Sequence, residues 1–234
     1  MTSSLSLLER EMYSEAEAAR LLAVPQATLH YWLDGKTGRG GKIHPPVIRR
    51  EPKGASAAVT WAEFVEAGAL RQYRRDMKIK LQDLRDFIDD LRNRFDVPYP
   101  LADQRPLASG KELVYAAQLE SQLPGELWLV TRSGGQLLLT GPAEAFVRRA
   151  RWDNHLATGW RPHDEEDSTV LIDPDIRFGR PAVGGVSTEV IWEHSEDGED
   201  DQEIARTFGL SEVDVAWALA YEKPRRVQPQ RRAS

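Results

Sequence analysis

The sequence predicts a mostly helical α+β protein, and three observations lead to that prediction. Two short helical patterns separated by a break occupy residues 12–35, and a basic, glycine-rich segment follows them. Longer amphipathic helical patterns cover residues 60–95. Short β-type runs and further helices fill the second half of the chain. We expect a winged helix-turn-helix domain at 1–102, a domain of small antiparallel sheet and helical bundle at 108–222, and a flexible basic tail at 223–234.

Composition limits the class of protein. The chain has 234 residues and a formal net charge of -6, which is divided unevenly: +2 over residues 1–105 and -8 over the remainder. Only the first half therefore suits a polyanionic partner such as DNA. The absence of cysteine excludes disulfides and thiolate metal sites. Neither a signal-peptide pattern nor an apolar run of roughly 18 residues is found, so we expect a cytoplasmic protein without a membrane partner.

The stretch from Met12 to Gly35 is typical of a helix-turn-helix. Ser14 and Glu17 form a capping box for a first helix, and Pro25 opens a second one. Leu29, Trp32 and Leu33 recur at helical spacing and are expected to face inward. The outward positions then carry side chains that could read a DNA groove, namely Gln26, Thr28, His30 and Tyr31. An ordinary corner between two helices is the alternative.

Residues 36–53 carry six basic side chains and one acid, Glu51. Glycines at 38, 40 and 41 provide a tip, and Val47–Arg49 is expected to pair with Ala58–Thr60 as a small hairpin. This segment is predicted to be a wing that places cations against DNA phosphates. The cations expected to do so are Lys36, Arg39, Lys42, Arg49 and Arg50. A solvated basic loop remains the alternative.

Two helical patterns follow the predicted wing. Thr60 and Glu63 form a second capping box. Beyond a break near residue 76, a heptad-like apolar seam runs through Leu81, Leu84, Ile88, Leu91 and Phe95. The seam is expected either to pack inside its own domain or to form a dimer interface.

Residues 12–102 resemble the MerR-type winged helix-turn-helix family. The resemblance is carried by Ser14, Glu17, Ala19, Leu21, Leu22, Val24, Thr28, Leu29, Tyr31 and Trp32. It departs at His30, where many relatives have arginine. The resemblance implies DNA binding and transcription regulation.

The second half is predicted to contain strands at Leu113–Tyr115, Leu127–Thr131 and Gln136–Thr140, a helix after Pro142, a polar loop at His155–Asp167, and a strand at Thr169–Ile172. The next segment reads DPDIRFGRPAVGG. It is similar to the DPxIxxGxPxxxGT signature of a family of small bacterial and archaeal VapB-type antitoxins, classed as a domain of unknown function. The matching residues are Asp173, Pro174, Ile176, Gly179, Pro181 and Gly185. The resemblance implies three closing helices.

The basic tail, Lys223 to Ser234, contains Arg225, Arg226, Arg231 and Arg232 and no acid. It is expected either to be a solubilising segment or to fold onto an acidic partner. The antitoxin resemblance implies such a partner, a PIN-domain ribonuclease toxin whose metal-binding carboxylates accept an inserted arginine.

Enzymatic function is not expected. The sequence has no phosphate-binding GxxxxGK[ST] loop, and its five histidines form no ligand-spaced pair, so neither a cofactor nor a metal is predicted. The favoured hypothesis is a homodimeric antitoxin that neutralises a ribonuclease and binds operator DNA as an autorepressor. The alternatives are a MerR-like regulator whose C-terminal domain senses a small molecule, and a purely structural interaction protein.

Overall fold

The structure is a computed structural model that describes residues 7–76, 81–105, 110–120, 128–133, 136–163, 165 and 167–227. The chain is α+β, as predicted, with helices and small two-stranded sheets. It divides into two compact units, Met1–Ala157 and Thr158–Ser234. Within the described ranges, the helices lack the combination of length and apolar character that a bilayer crossing requires.

Both predicted helices of the first stretch form. Helix α1 spans Glu15–Leu21, and the Ser14 hydroxyl accepts a hydrogen bond from the Glu17 N–H (3.2 Å) at its N-terminus. Ala23 lies in the turn with a positive φ of 50°, and helix α2 spans Gln26–Asp34. Leu29, Trp32 and Leu33 are buried, as their spacing predicted.

A hairpin follows α2 directly. Strand β2 (Lys36–Thr37) pairs antiparallel with β3 (Ile43–His44), and a 3₁₀ turn at Arg39–Gly41 forms the tip. Gly35 makes the connection possible. Its φ is +74°, and a Cβ there would lie 2.3 Å from the His44 carbonyl oxygen, so a side chain is excluded.

The predicted pairing of Val47–Arg49 with Ala58–Thr60 is wrong. Strand β4 (Val59–Thr60) instead pairs with β1 (Glu11–Tyr13), a segment that precedes α1. Val47 and Ile48 are buried in an irregular segment, and both of their N–H groups donate to the Trp32 carbonyl. This segment is anchored to α2 rather than to a strand.

Helices α3 (Trp61–Asp76) and α4 (Leu81–Phe95) supply much of the first unit's core. The capping box of α3 is complete, because Glu63 N–H donates to Thr60 Oγ1 and Thr60 N–H donates to Glu63 Oε2. Four of the five seam residues of α4, from Leu81 to Leu91, are buried within the single chain. The seam is therefore intradomain core, the first of the two predicted alternatives.

Arg49 lies at the centre of a buried ion-pair network. Its guanidinium donates to both carboxylate oxygens of Glu63 (2.9 and 3.0 Å) and to Oδ1 of Asp34 (2.8 Å). The Arg49 side chain is only 1% exposed. Burial by itself would raise the pKa of each acid, but hydrogen bonds to Arg49 and to backbone N–H groups outweigh it and lower both values.

The predicted strand at Leu113–Tyr115 is wrong, because helix α5 spans Lys111–Glu120. Good helix formers flank the three apolar residues, and the helix buries Val114, Ala117 and Gln118 on one face. The Gln118 side chain accepts from the N–H groups of Leu129 and Val130 and donates to the Val130 carbonyl. Tertiary packing therefore overrides the β propensity of this triplet.

The hairpin predicted after α5 forms, with β5 at Val130–Ser133 and β6 at Gln136–Leu139. Its two-residue tip, 134–135, lies outside the described residues. Helix α6 (Gly141–Arg149) follows as predicted.

The predicted polar loop at His155–Asp167 begins instead with a strand. Strand β7 (Ala150–Asp153) pairs with β8 (Leu156–Trp160), in which Leu156, Ala157 and Trp160 are buried. The Ala157 carbonyl accepts from the indole N–H of Trp61 (2.6 Å). This hydrogen bond lies within the first unit, which extends to Ala157 and so beyond residue 102, where the first domain was predicted to end.

The second unit is a three-helix arrangement beside a small hairpin. Thr169–Ile172 forms only isolated bridges rather than the predicted strand. The elements that follow are β9 (Ala182–Val183), β10 (Val186–Ser187), α7 (Thr188–Glu196), α8 (Asp201–Phe208) and α9 (Glu212–Val227). Their core contains Val170, Val183, Ile191, Ile204, Val215, Ala218 and Tyr221. Asp200 and Glu203 form a complete capping box, and Gly209 ends α8 in the left-handed conformation, which glycine adopts readily.

The prediction of a flexible tail at 223–234 is wrong for residues 223–227. Helix α9 continues through Pro224 to Val227, so Arg225 and Arg226 are helical. Residues 228–234, with Arg231 and Arg232, lie outside the described residues.

A first prediction concerns the stability that Arg49 provides. Arg49→Met should lower the free energy of unfolding by roughly 3–5 kcal/mol, because it leaves two buried carboxylates without their partner. Denaturant unfolding of the full chain measures the loss.

Arg50→Met is the matched control, because Arg50 is adjacent but exposed. It should change the free energy of unfolding by less than about 0.5 kcal/mol. Equal effects of the two substitutions would contradict the structural role of Arg49.

Glu66 is a second buried acid of the first unit. Burial raises its pKa to about 7, although Arg92 and the Leu101 N–H oppose this shift. A carboxyl whose pKa rises on folding stabilises the folded chain below its ordinary pKa, and that contribution is lost as the pH rises through the folded value.

The second prediction follows from the raised pKa of Glu66. Between pH 5 and pH 7 the free energy of unfolding should fall, with Glu66 contributing roughly 3 kcal/mol or less to the change. Glu66→Gln should remove that part of the slope, since its amide does not titrate. Asp34 and Glu63 have lowered pKa values, so their contributions are lost only at more acidic pH. Denaturant unfolding at several pH values measures both slopes, and identical slopes would exclude Glu66 as the source.

Candidate functional site

The outer face of α2 presents polar side chains, as the sequence predicted. Gln26 is exposed, Thr28 and Tyr31 are half-buried, and the apolar side of the helix is covered by the first unit's core. Glutamine and threonine on an exposed helix can donate to and accept from base edges in a major groove.

The hairpin beside α2 adds cations to this face. Lys36 and Lys42 are exposed, and the Lys36 ammonium lies 4.5 Å from the centre of the Tyr31 ring. Tyr31 also makes an edge contact with His44, with ring centroids 6.3 Å apart. These contacts fix the hairpin against α2. The Arg39 side chain lies outside the described part of the chain.

Arg49 is not available for DNA, which corrects its predicted role in phosphate binding. Its guanidinium is buried between Asp34 and Glu63, and Nη2 also donates to the Ala58 carbonyl. The basic segment at residues 36–53 did not indicate that Arg49 is buried, because the acids that bind Arg49 lie 15 residues before and 14 residues after it. Arg50 is exposed and remains a candidate.

His30 faces acids rather than solvent alone. Its Nδ1 lies 3.1 and 3.2 Å from the two carboxylate oxygens of Glu15, and 3.9 Å from Oδ2 of Asp34. One ligand atom from each of these three residues lies within 4.8 Å of the others, a spacing that suits a metal ion. We call Glu15, His30 and Asp34 the acid–histidine cluster. The sequence did not predict this cluster. The i,i+4 spacing of His30 and Asp34 was readable, whereas the approach of Glu15 depends on how α1 packs against α2.

In the second unit, the DPDIRFGRP segment forms a tight loop. The Asp173 carboxylate accepts from the Asp175 N–H (2.8 Å), and Arg177 Nε donates to the Gly185 carbonyl (3.0 Å). Arg177 and Phe178 both adopt left-handed φ values, 50° and 54°, which are costly for residues with side chains. Phe178 is 88% exposed. This ring was not predicted as a site residue, because only the residues that flank it belong to the DPxIxxGxP signature.

The two arginines at the end of α9 have partners within their own unit. The Arg225 guanidinium stacks 3.5 Å from the centre of the Tyr221 ring, and Nη1 donates to the Tyr221 carbonyl (2.6 Å). Arg226 pairs with Glu189 (3.2 Å) and Glu222 (3.6 Å). Partner binding through these two residues would have to compete with these contacts.

Comparison with known proteins finds a family model that matches part of the second unit. Residues 170–221 match the family model described as protein of unknown function DUF433. The matched range contains the complete DPDIRFGRP segment and most of the three closing helices. The protein named "Putative antitoxin VapB45" from Mycobacterium tuberculosis is 28% identical over 191 residues, covering 76% of this chain and 79% of that protein. Both findings support an antitoxin-like family, as the resemblance implied.

Two further similarities extend over nearly the whole chain. The X-ray crystal structure of Rv2018 from Mycobacterium tuberculosis superposes with a TM-score of 0.72 at 25% identity, covering 91% of this chain and 99% of that one. The uncharacterized protein Rv2308 from the same organism is 35% identical over 240 residues, covering 96% of this chain and 95% of the relative. The chain therefore belongs to the protein family that includes Rv2308.

Proposed function

We propose that this protein is an antitoxin that neutralises a PIN-domain ribonuclease toxin and represses its own operon by binding operator DNA as a homodimer. The observation that carries the antitoxin part is the similarity to the protein named VapB45 across 76% of the chain, together with the DUF433 match. The identity of the toxin class rests on the resemblance of the DPDIRFGRP signature to VapB-type antitoxins.

DNA binding is proposed for the first unit. The exposed face of α2 carries Gln26, Thr28 and Tyr31, and the adjacent hairpin carries Lys36 and Lys42. In the proposed winged helix-turn-helix mode, α2 would enter the major groove and the hairpin would contact phosphates. One such helix reads few base pairs, so the proposal includes a dimer on a two-fold operator.

Accessible cations, rather than the buried Arg49, contact the DNA phosphates. Arg50 and Lys42 supply the sequence-independent affinity, while Gln26 and Thr28 supply base contacts. His30 is left out of direct readout, because its Nδ1 faces Glu15.

Toxin neutralisation is proposed for the C-terminal end of the chain. Arginine donates two parallel hydrogen bonds to a carboxylate, which suits insertion into an acidic nuclease site. Purifying the protein with the product of the adjacent gene and assaying RNA cleavage with and without it tests the proposal directly. Full cleavage by that product in the presence of excess protein would exclude neutralisation.

The third prediction concerns the phosphate contacts. Lys42→Ala and Arg50→Ala should each weaken binding to operator and unrelated DNA alike. Each should also reduce by about one the magnitude of the slope of log affinity against log salt concentration. Fluorescence anisotropy with a labelled upstream fragment at several salt concentrations measures both quantities.

Two controls separate these contacts from general charge effects. Arg206→Ala removes an exposed cation of α8 in the second unit and should leave affinity unchanged. Gln26→Ala should reduce the preference for operator by about 1–3 kcal/mol while leaving the salt slope unaltered. Unchanged affinity in both Lys42→Ala and Arg50→Ala would remove the hairpin and its flank from the interface.

The fourth prediction concerns the tail. A chain that ends at Val227 keeps all of α9 but lacks Arg231 and Arg232, and it should inhibit the toxin at least tenfold less well. Inhibition of RNA cleavage over a range of protein concentrations gives the measurement.

A double variant tests the arginines themselves. Arg231→Ala with Arg232→Ala should reproduce the effect of truncation, whereas Gln228→Ala with Gln230→Ala should not. Undiminished inhibition by the truncated chain would place toxin binding elsewhere.

A further inference from the structure

We infer that the acid–histidine cluster of Glu15, His30 and Asp34 binds a divalent transition-metal ion of the zinc class. Glu15 opens α1, while His30 and Asp34 lie one turn apart on α2. Their potential ligand atoms converge within 4.8 Å of one another. The proposed metal site consists of these three side chains alone, so metal binding does not depend on whether the protein binds DNA.

The separations between the ligand atoms are close to those around a bound metal. Zinc binds histidine nitrogen and carboxylate oxygen at about 2.0–2.2 Å, so the ligand atoms of a tetrahedral site lie roughly 3.4 Å apart. His30 Nδ1 lies 3.1 Å from a Glu15 oxygen and 3.9 Å from Asp34 Oδ2. Small side-chain rotations are therefore enough to place one ion between the three groups.

Asp34 provides an independent reason to expect a ligand. Its side chain is only 3% exposed, and Oδ2 has no hydrogen-bond partner among the residues that the structure describes. A buried carboxylate oxygen without a partner is costly, and a metal ion on its open side removes that cost. The other oxygen, Oδ1, accepts from Arg49 Nη1 and from the Lys53 N–H, both at 2.8 Å. These two donors orient Oδ2 towards His30, as outer contacts do for metal ligands generally.

The donor set indicates which ions bind. One imidazole with two carboxylates suits Zn²⁺, Co²⁺ or Mn²⁺, whereas Mg²⁺ and Ca²⁺ prefer oxygen donors alone. The His30 side chain is 40% exposed, which leaves the outer side of the cluster open to solvent. Water can therefore occupy the remaining coordination position.

A metal ion here would cross-link the two helices. It would join the first residue of α1 to the C-terminal half of α2, and through Asp34 it would also connect to the Arg49 network. The expected consequence is a gain in the thermal stability of the first unit on metal binding.

The test uses the full chain, purified without a histidine tag. Isothermal titration with Zn²⁺ should give one equivalent of binding, and Co²⁺ should give the visible absorption of a low-coordinate site. Mg²⁺ should give neither binding nor a shift in the melting temperature. Glu15→Gln and His30→Gln should each weaken Zn²⁺ binding at least tenfold.

His194→Gln is the matched control. His194 is also half-exposed and pairs through Nδ1 with one acid, Glu199 at 2.8 Å, yet it lies outside the acid–histidine cluster. Its loss should leave Zn²⁺ affinity unchanged. Circular dichroism of each variant establishes that it is folded, and His30 is exposed enough for His30→Gln to fold. Absence of Zn²⁺ binding in the wild type, or undiminished binding in the folded His30→Gln variant, would overturn the inference.

Discussion

The buried ion pair of Arg49 with Asp34 and Glu63 is the interaction on which the first unit depends. Asp34 is the last residue of α2, and Glu63 completes the capping box of α3. One guanidinium therefore joins the end of one helix to the start of another and holds the irregular segment between them. All three charged groups are buried away from water. Removing any one of them leaves the others without the partner that offsets the cost of their desolvation. The positions of α2 and its hairpin follow from this arrangement.

Local sequence signals predicted local structure well. The capping boxes at Thr60 and Asp200 both form, and Gly209 ends its helix in the left-handed conformation, because each of these features depends on residues within one helical turn. The wrong predictions concern segments whose conformation depends on contacts with residues that are distant in the sequence. Leu113–Tyr115 is helical because Gln118 and its neighbours pack on β5, and Val47 binds the carbonyl of Trp32 instead of a strand. For the candidate site, the exposed face of α2 was readable from spacing. The burial of Arg49 and the approach of Glu15 to His30 were not, since both require the tertiary structure.

The two units differ in the charge and polarity of their side chains. The first unit places mixed polar and basic side chains on one helix and its adjoining hairpin, whereas the acidic excess lies in the second half of the chain. The family match lies entirely within the second unit, where a strained loop exposes Phe178 next to the signature residues. The exposed Phe178 ring therefore adds nothing to the packing of the second unit's core.

Pro224 within α9 has a consequence for the dynamics of the chain end. Proline has no N–H, so the carbonyl one turn earlier, at Ala220, loses its intrahelical donor. The stacking of Arg225 on Tyr221 and the pairing of Arg226 with Glu189 and Glu222 add side-chain contacts to the last turn. Backbone amides after Pro224 should accordingly exchange with deuterium much faster than those between Val215 and Tyr221. An acidic surface that captured both guanidinium groups would remove these side-chain contacts from the last turn of α9.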